Sequence, residues 1–173
     1  MVEAQRADAW VASFLNEKDF PLYPKWHFDR DIEVVIFKKE KAAGWTGTAS
    51  LRDQKVGWMR DYGFDRYIRE PMKISEVDHY DDAFKLLAAG RFDYFIAGQK
   101  DIDEVIKKTQ TNTAPFDIRP LMNLGVYLAF ANNARGGALR KIWDDEMETL
   151  HKTDAFKAAY KKYDQPYPFP LNN

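Results

Sequence analysis

The chain has 173 residues, 45% hydrophobic and 15% aromatic, with 26 Lys+Arg against 27 Asp+Glu and no cysteine. That length fits one ordinary domain or two small lobes, the near-neutral balance removes the basic footprint of a nucleic-acid binder, and the lack of thiols excludes disulfides and thiolate metal sites. No apolar run approaches the roughly 18 residues that span a bilayer, and Met1-Val2-Glu3-Ala4-Gln5-Arg6 lacks the basic-then-apolar layout of a secretion signal.

Residues 7–14 read as a buried strand, and 15–31 as irregular because Pro21 and Pro24 block regular structure. The β-branched run 32–38 reads as a strand. Residues 44–48 form a turn or crossing segment, followed by a strand over 55–60, a short helix near 63–69 and a strand over 72–77. Asp78 or a neighbour caps a helix over about 79–89, with Ala83, Leu86 and Leu87 on one face and Gly90 at its stop. A strand over 92–97 and a helix over 101–109 come next. Residues 116–122 are extended, and 124–131 are a strongly apolar strand. Helices over about 135–151 and 154–163 close the chain, before a tail in which prolines alternate, Gln165 to Pro170.

Two stretches carry most of the information. Lys55-Val56-Gly57-Trp58-Met59-Arg60-Asp61-Tyr62-Gly63-Phe64 is a short apolar strand running into a polar turn. Ala88-Ala89-Gly90-Arg91-Phe92-Asp93-Tyr94-Phe95 is a helix stopped by glycine, followed at once by an aromatic strand. In that order they describe an α/β lobe whose ligands lie at the carboxyl ends of parallel strands. Ala7-Asp8-Ala9-Trp10-Val11 echoes Phe92-Asp93-Tyr94-Phe95-Ile96, each with an Asp just inside a buried strand. Two lobes on one plan produce such an echo.

With Tyr127-Leu128-Ala129-Phe130, Arg135-Gly136 and Leu139-Arg140-Lys141-Ile142-Trp143, these segments resemble the bacterial extracellular solute-binding proteins of the amino-acid type, family 3. The resemblance implies an α/β, two-lobed, periplasmic binding protein type II fold. It makes residues 1–48 and 122–173 a partial first lobe and 49–121 the second lobe. Two leading strands and their helices of the first lobe have no counterpart, which leaves sheet edge and apolar face uncovered. A truncated gene product, a short form that pairs with another chain and a homodimer through the incomplete lobe would each account for this. The resemblance further implies a periplasmic location and a transporter or sensor as partner. It assigns the chain non-catalytic capture of a small polar metabolite, amino-acid-like or another organic anion, by hinge bending near 46–50 and 120–124.

The resemblance places ligand at strand ends, where backbone N–H groups and helix N-termini converge. Arg60 offers a fork for a carboxylate, Tyr62 a ring or hydroxyl, and Gly63 close backbone approach. Asp65 and Gln99 complete the second-lobe candidates, with Ser13 and Trp26 from the first lobe. Gly98 and Gln99 stand where family members present a carboxylate to an amino group, and Asp93 reads as a structural residue. The stretch Ser13-Phe14-Leu15-Asn16-Glu17-Lys18 lacks the arginine with which amino-acid binders of this family clamp an α-carboxylate. His27, His79 and His151 have no metal-ligand spacing, and Asp78-His79-Tyr80-Asp81-Asp82 reads as acids at a helix start. No cofactor or metal is expected. The same scaffold also hosts dehydratase-type enzymes, which would need Asp65, Glu17 or His27 as acid or base in the cleft. An interaction module without ligand is the third reading.

Overall fold

The computed structural model describes residues 2–4 and 6–170; Met1, Gln5 and residues 171–173 lie outside it. The strands are β1 (Ala9–Phe14), β2 (Asp29–Lys38), β3 (Lys55–Met59), β4 (Lys73–Val77), β5 (Tyr94–Gly98) and β6 (Phe116–Phe130). The helices are α1 (Ala83–Ala88), α2 (Gln99–Thr109), α3 (Ala134–Leu150) and α4 (Asp154–Lys162). The strand order is β1-β6-β2-β5-β3-β4. Two compact units share this chain: unit 2 is Ile32–Met122, and unit 1 is the remainder on either side.

In unit 2, β5 pairs in parallel with β3 (Val56 opposite Tyr94), and β3 in parallel with β4 (Val56 opposite Ile74). Antiparallel β2 flanks β5 on its other side, with Val34 opposite Ala97 and Phe37 opposite Tyr94. Because side chains alternate, Phe95 and Ala97 join Val34 and Ile36 on one face. There Ala83, Phe84 and Leu87 of α1, Ile102 and Val105 of α2, and Phe116 cover them. The opposite face carries Tyr94 against the stacked rings of Phe37 and Trp45, whose centroids lie 5.0 Å apart. Further along it, Trp58 meets Phe64 edge-on.

Several expected elements take a different form. The helix read near 63–69 is one 3-10 turn, Phe64–Arg66. Between a left-handed Gly63 and Pro71 there is too little chain to nucleate an α-helix. Residues 39–44 and 47–51, read in part as a turn, form two 3-10 turns. The helix read over 79–89 opens with a 3-10 turn at 80–82 and stops at Gly90, which has a φ of +69°. No side chain caps that turn or α1, so Asp78 is not a cap. The pieces read as 116–122 and 124–131 form one continuous strand. Pro120, lacking an N–H, signals a break there, but it lies exposed and the strand runs through.

In unit 1, β1 pairs antiparallel with β6 through a bulge. Trp10 faces Ala129 but Ser13 faces Tyr127, so β1 carries one extra residue, and Ala12 takes a φ of +67°. Asn133 caps α3 by accepting the Gly136 N–H, and Thr153 caps α4 by accepting the Phe156 N–H. The proline-rich tail folds back on the residues that precede β2. Phe169 packs 4.4 Å from the buried His27 ring and 5.1 Å from His151, and His151 lies 4.3 Å from Trp26. A β-carbon at Gly136 would sit 1.9 Å from the Ala131 carbonyl oxygen.

Two outcomes follow from this packing. Gly136→Ala forces the start of α3 away from backbone that cannot yield, and should cost about 3 kcal/mol or more in chemical denaturation. A loss below about 0.5 kcal/mol would contradict the geometry. Burial lowers the pKa of His27, against the pull of the Pro168 carbonyl and Asp29. The folded chain therefore binds fewer protons at His27 than the unfolded chain. Its contribution to stability is full above the ordinary value near 6.5 and is lost as pH falls through the lowered one. Titration of the His27 ring by NMR should give a value below 6.5; a value at or above it would contradict this.

Candidate functional site at the strand ends of unit 2

Because β3, β4 and β5 are parallel, their carboxyl ends reach one edge of the sheet. Three short connections leave from there: Arg60-Asp61-Tyr62 after β3, Asp78-His79-Tyr80 after β4, and the start of α2 after β5. The Arg60 N–H donates to the Val77 carbonyl, which ties the first connection to the second.

Arg60 is not an open fork. Its Nε donates to Oδ1 of Asp78 at 2.7 Å and its Nη2 to Oδ2 at 3.3 Å, while Glu76 lies 3.6 Å from Nη1. The hydrogen bond from Arg60 and its charge hold the Asp78 carboxyl below the usual range, and the same pair raises Arg60. Both groups are solvent-exposed, so the pair orients the loop more than it stabilises the fold. Asp78 was read as part of a helix start; the sequence signal that was missed is one acid and one base in like positions after adjacent parallel strands.

Tyr62 lies against Phe64 and, edge-on, against Tyr80. Tyr80 donates its hydroxyl to Oδ2 of Asp101 at 3.0 Å and hydrogen-bonds Tyr62. Burial first, then the bond with Tyr62, raises the Tyr80 pKa far above its ordinary value, so it remains a neutral donor. An ionised Asp101 can only accept. The order is therefore Tyr62 O–H to Tyr80 oxygen and Tyr80 O–H to Asp101. Neither Tyr80 nor Asp101 stood among the sequence candidates.

Gln99 opens α2, and its amide donates to Asp103 at 2.8 Å. Asp65 is exposed on the 3-10 turn after Gly63. Asp93 is structural: burial pushes its carboxyl up, but bonds from Lys41 Nζ and the Lys55 N–H outweigh this and hold it low. Arg60, Tyr62 and Gln99 thus follow the carboxyl ends of unit 2, whereas Ser13 and Trp26 belong to unit 1. Ser13 is fully buried, donates to Glu17 Oε2 at 2.9 Å and meets the Tyr23 hydroxyl at 3.0 Å. Trp26 has Lys25 Nζ 4.8 Å above its ring. Among the described residues no cluster of metal-ligating side chains occurs, and no helix is long and apolar enough to cross a membrane.

No family model and no curated protein matches the sequence. Solved structures share its fold. An amino-acid ABC transporter substrate-binding protein from Streptococcus pneumoniae bound to L-arginine matches 93% of this chain with 69% of its own, at 13% identity and a TM-score of 0.57. The GLUR0 ligand-binding core with L-glutamate matches 94% with 74% of its own, at 10% identity and a TM-score of 0.65. An ancestral arginine-binding protein bound to glutamine matches 94% with 73% of its own, at 16% identity and a TM-score of 0.61. The fold is that of the type II periplasmic binding proteins. Roughly a quarter to a third of each of these neighbours has no counterpart here. At these identities the likeness concerns the fold.

The exposed Arg60–Asp78 pair should behave as a screened ion pair. A double-mutant cycle with Arg60→Gln and Asp78→Asn, read by melting temperature, should show a coupling that shrinks as salt rises from about 0.05 M to 1 M. A coupling that does not change with salt would contradict that assignment.

Proposed function

We propose that this chain is a non-catalytic binding protein for a small polar, amino-acid-like metabolite, which it presents to an ABC-type transporter or a sensor outside the cytoplasm. The observation that carries the reading is the strand-end face of unit 2. Two tyrosines, a paired arginine and a helix-borne carboxylate occupy the edge where a parallel sheet leaves backbone and side-chain polar groups turned outward. The neighbours of this fold, bound to arginine, glutamate and glutamine, support it. A binding role asks of these groups only fixed geometry, and the Arg60–Asp78 and Tyr80–Asp101 bonds supply that. General acid–base chemistry would call for a donor or acceptor poised near neutrality, whereas Tyr80 is held as a neutral donor and Asp78 as an anion.

Thermal-shift titration with the standard amino acids and small organic acids tests the reading. A ligand at a hundred times its Kd should add about 2.7 kcal/mol to the stability and raise the melting temperature progressively with concentration. The absence of any concentration-dependent rise across the whole set would overturn it.

A further inference from the structure

Unit 2 has a cavity of about 750 Å³ along one side of α1. That volume lies in the range of small-molecule sites, roughly 300 to 1,000 Å³. Asp81, Phe84, Lys85 and Ala88 line it at the i, i+3, i+4, i+7 spacing of a single helix face. Lys38 and Lys39 line it from the end of β2, and Pro115 and Phe116 from the start of β6. Phe37 stands opposite Tyr94, the first residue of β5, so the end of β2 lies at the amino ends of the parallel strands. None of Arg60, Tyr62, Tyr80, Gln99 and Asp101 lines this cavity.

The floor is apolar and fixed. The Phe84 and Phe116 rings meet edge-on with centroids 5.3 Å apart, and both belong to the buried core. Ala88 contributes only a methyl group, which leaves room that a longer side chain would take. The rim is cationic, with Lys38, Lys39 and Lys85 against Glu40 and Asp81. The Lys39 N–H donates to the Pro115 carbonyl at 2.9 Å, and its ammonium to the Ala114 carbonyl at 3.2 Å. Those bonds tie the end of β2 to the segment before β6 and hold the Lys39 charge at the rim. Lys85 lies 3.6 Å from Asp82, but both are exposed, so solvent screens that pair. The C-terminus of α2, whose dipole opposes an anion, reaches the cavity at Thr109. Lys107 and Lys108 in its last turn offset that dipole, and the Val105 and Ile106 carbonyls already accept from Thr109 and Thr111.

We propose that this cavity is a second ligand site, for a small organic acid with a ring-sized apolar body. The body lies on the Phe84 and Phe116 rings, and the carboxylate meets Lys39 and Lys85. A wholly polar ligand leaves the apolar floor wet, and a cation meets more lysines than acids. The inference goes beyond the binding-protein reading and does not rest on it.

Amide chemical shifts and isothermal titration of the full chain with indole-3-acetate, benzoate, acetate and benzylamine provide the test. Indole-3-acetate or benzoate should bind saturably, with a Kd below about 1 mM, and move the amides of Lys85, Ala88, Thr109, Thr111 and Asn112. Acetate lacks the ring and benzylamine reverses the charge, so both should bind about tenfold more weakly or worse. A Lys39→Gln, Lys85→Gln double variant keeps a donor for the Ala114 carbonyl and removes both charges. Ala88→Leu keeps the charges and fills the floor. Each should weaken binding roughly fivefold or more, while the melting temperature of the free protein stays close to wild type. Four results would each overturn the assignment: no saturable binding of either aromatic acid, benzylamine binding as tightly, an affinity within about twofold of wild type in either variant, or shifts confined to residues 60–62, 78–80 and 98–101. The last would place the acid at the strand-end face and support the binding-protein reading, and the other three leave that reading untouched.

Discussion

The pairing of β5 with two neighbours of opposite sense organises unit 2. Tyr94 to Ala97 are buried, so this strand must be covered on both faces. One face draws in α1 and α2, and the other draws in Phe37, Trp45 and their neighbours. Because β3 lies parallel on one side and β2 antiparallel on the other, the direction of β5 fixes which edge collects the strand-end loops. Gly57 shows how tight this arrangement is: a β-carbon there would fall 2.7 Å from the Phe92 ring, which precedes β5.

The electrostatics of that edge follow from the connections. Arg60 and Asp78 leave adjacent strands and neutralise one another. Asp101 leaves β5 three residues beyond its end and meets a phenol instead of a base. The first turn of α2 thus meets two tyrosines from two different loops. Unit 1 has its own logic. Its polar candidate, Ser13, is bound into a turn with Glu17 and Tyr23, and its aromatic residues meet the C-terminal tail.

Much of this was legible in the sequence. The run 32–38, the Gly90 stop, the aromatic strand near 92–97 and the last two helices carry strong periodic or punctuating signals, and the order of the elements was sufficient for the fold class. Short-range signals failed where long-range contacts decide the outcome. Residues near 63–69 have helical composition, but Gly63 and Pro71 leave them one turn. Pro120 suggested a break in a strand that continues through it. The site was legible in location more than in detail. Arg60, Tyr62 and Gln99 were read correctly as residues following strand ends. Asp78 lies 18 residues from Arg60 and Asp101 lies 21 from Tyr80, and only the parallel register brings these partners near. The acids at 78–82 look like helix-start charges until that register is known.

The central claim is that the strand-end face of unit 2 holds a small polar ligand. Amide chemical-shift mapping during titration with the amino acid that gives the largest thermal shift tests it most directly. The account predicts concentration-dependent shifts at residues 60–62, 78–80 and 98–101. Saturable binding that leaves those amides unmoved would contradict it.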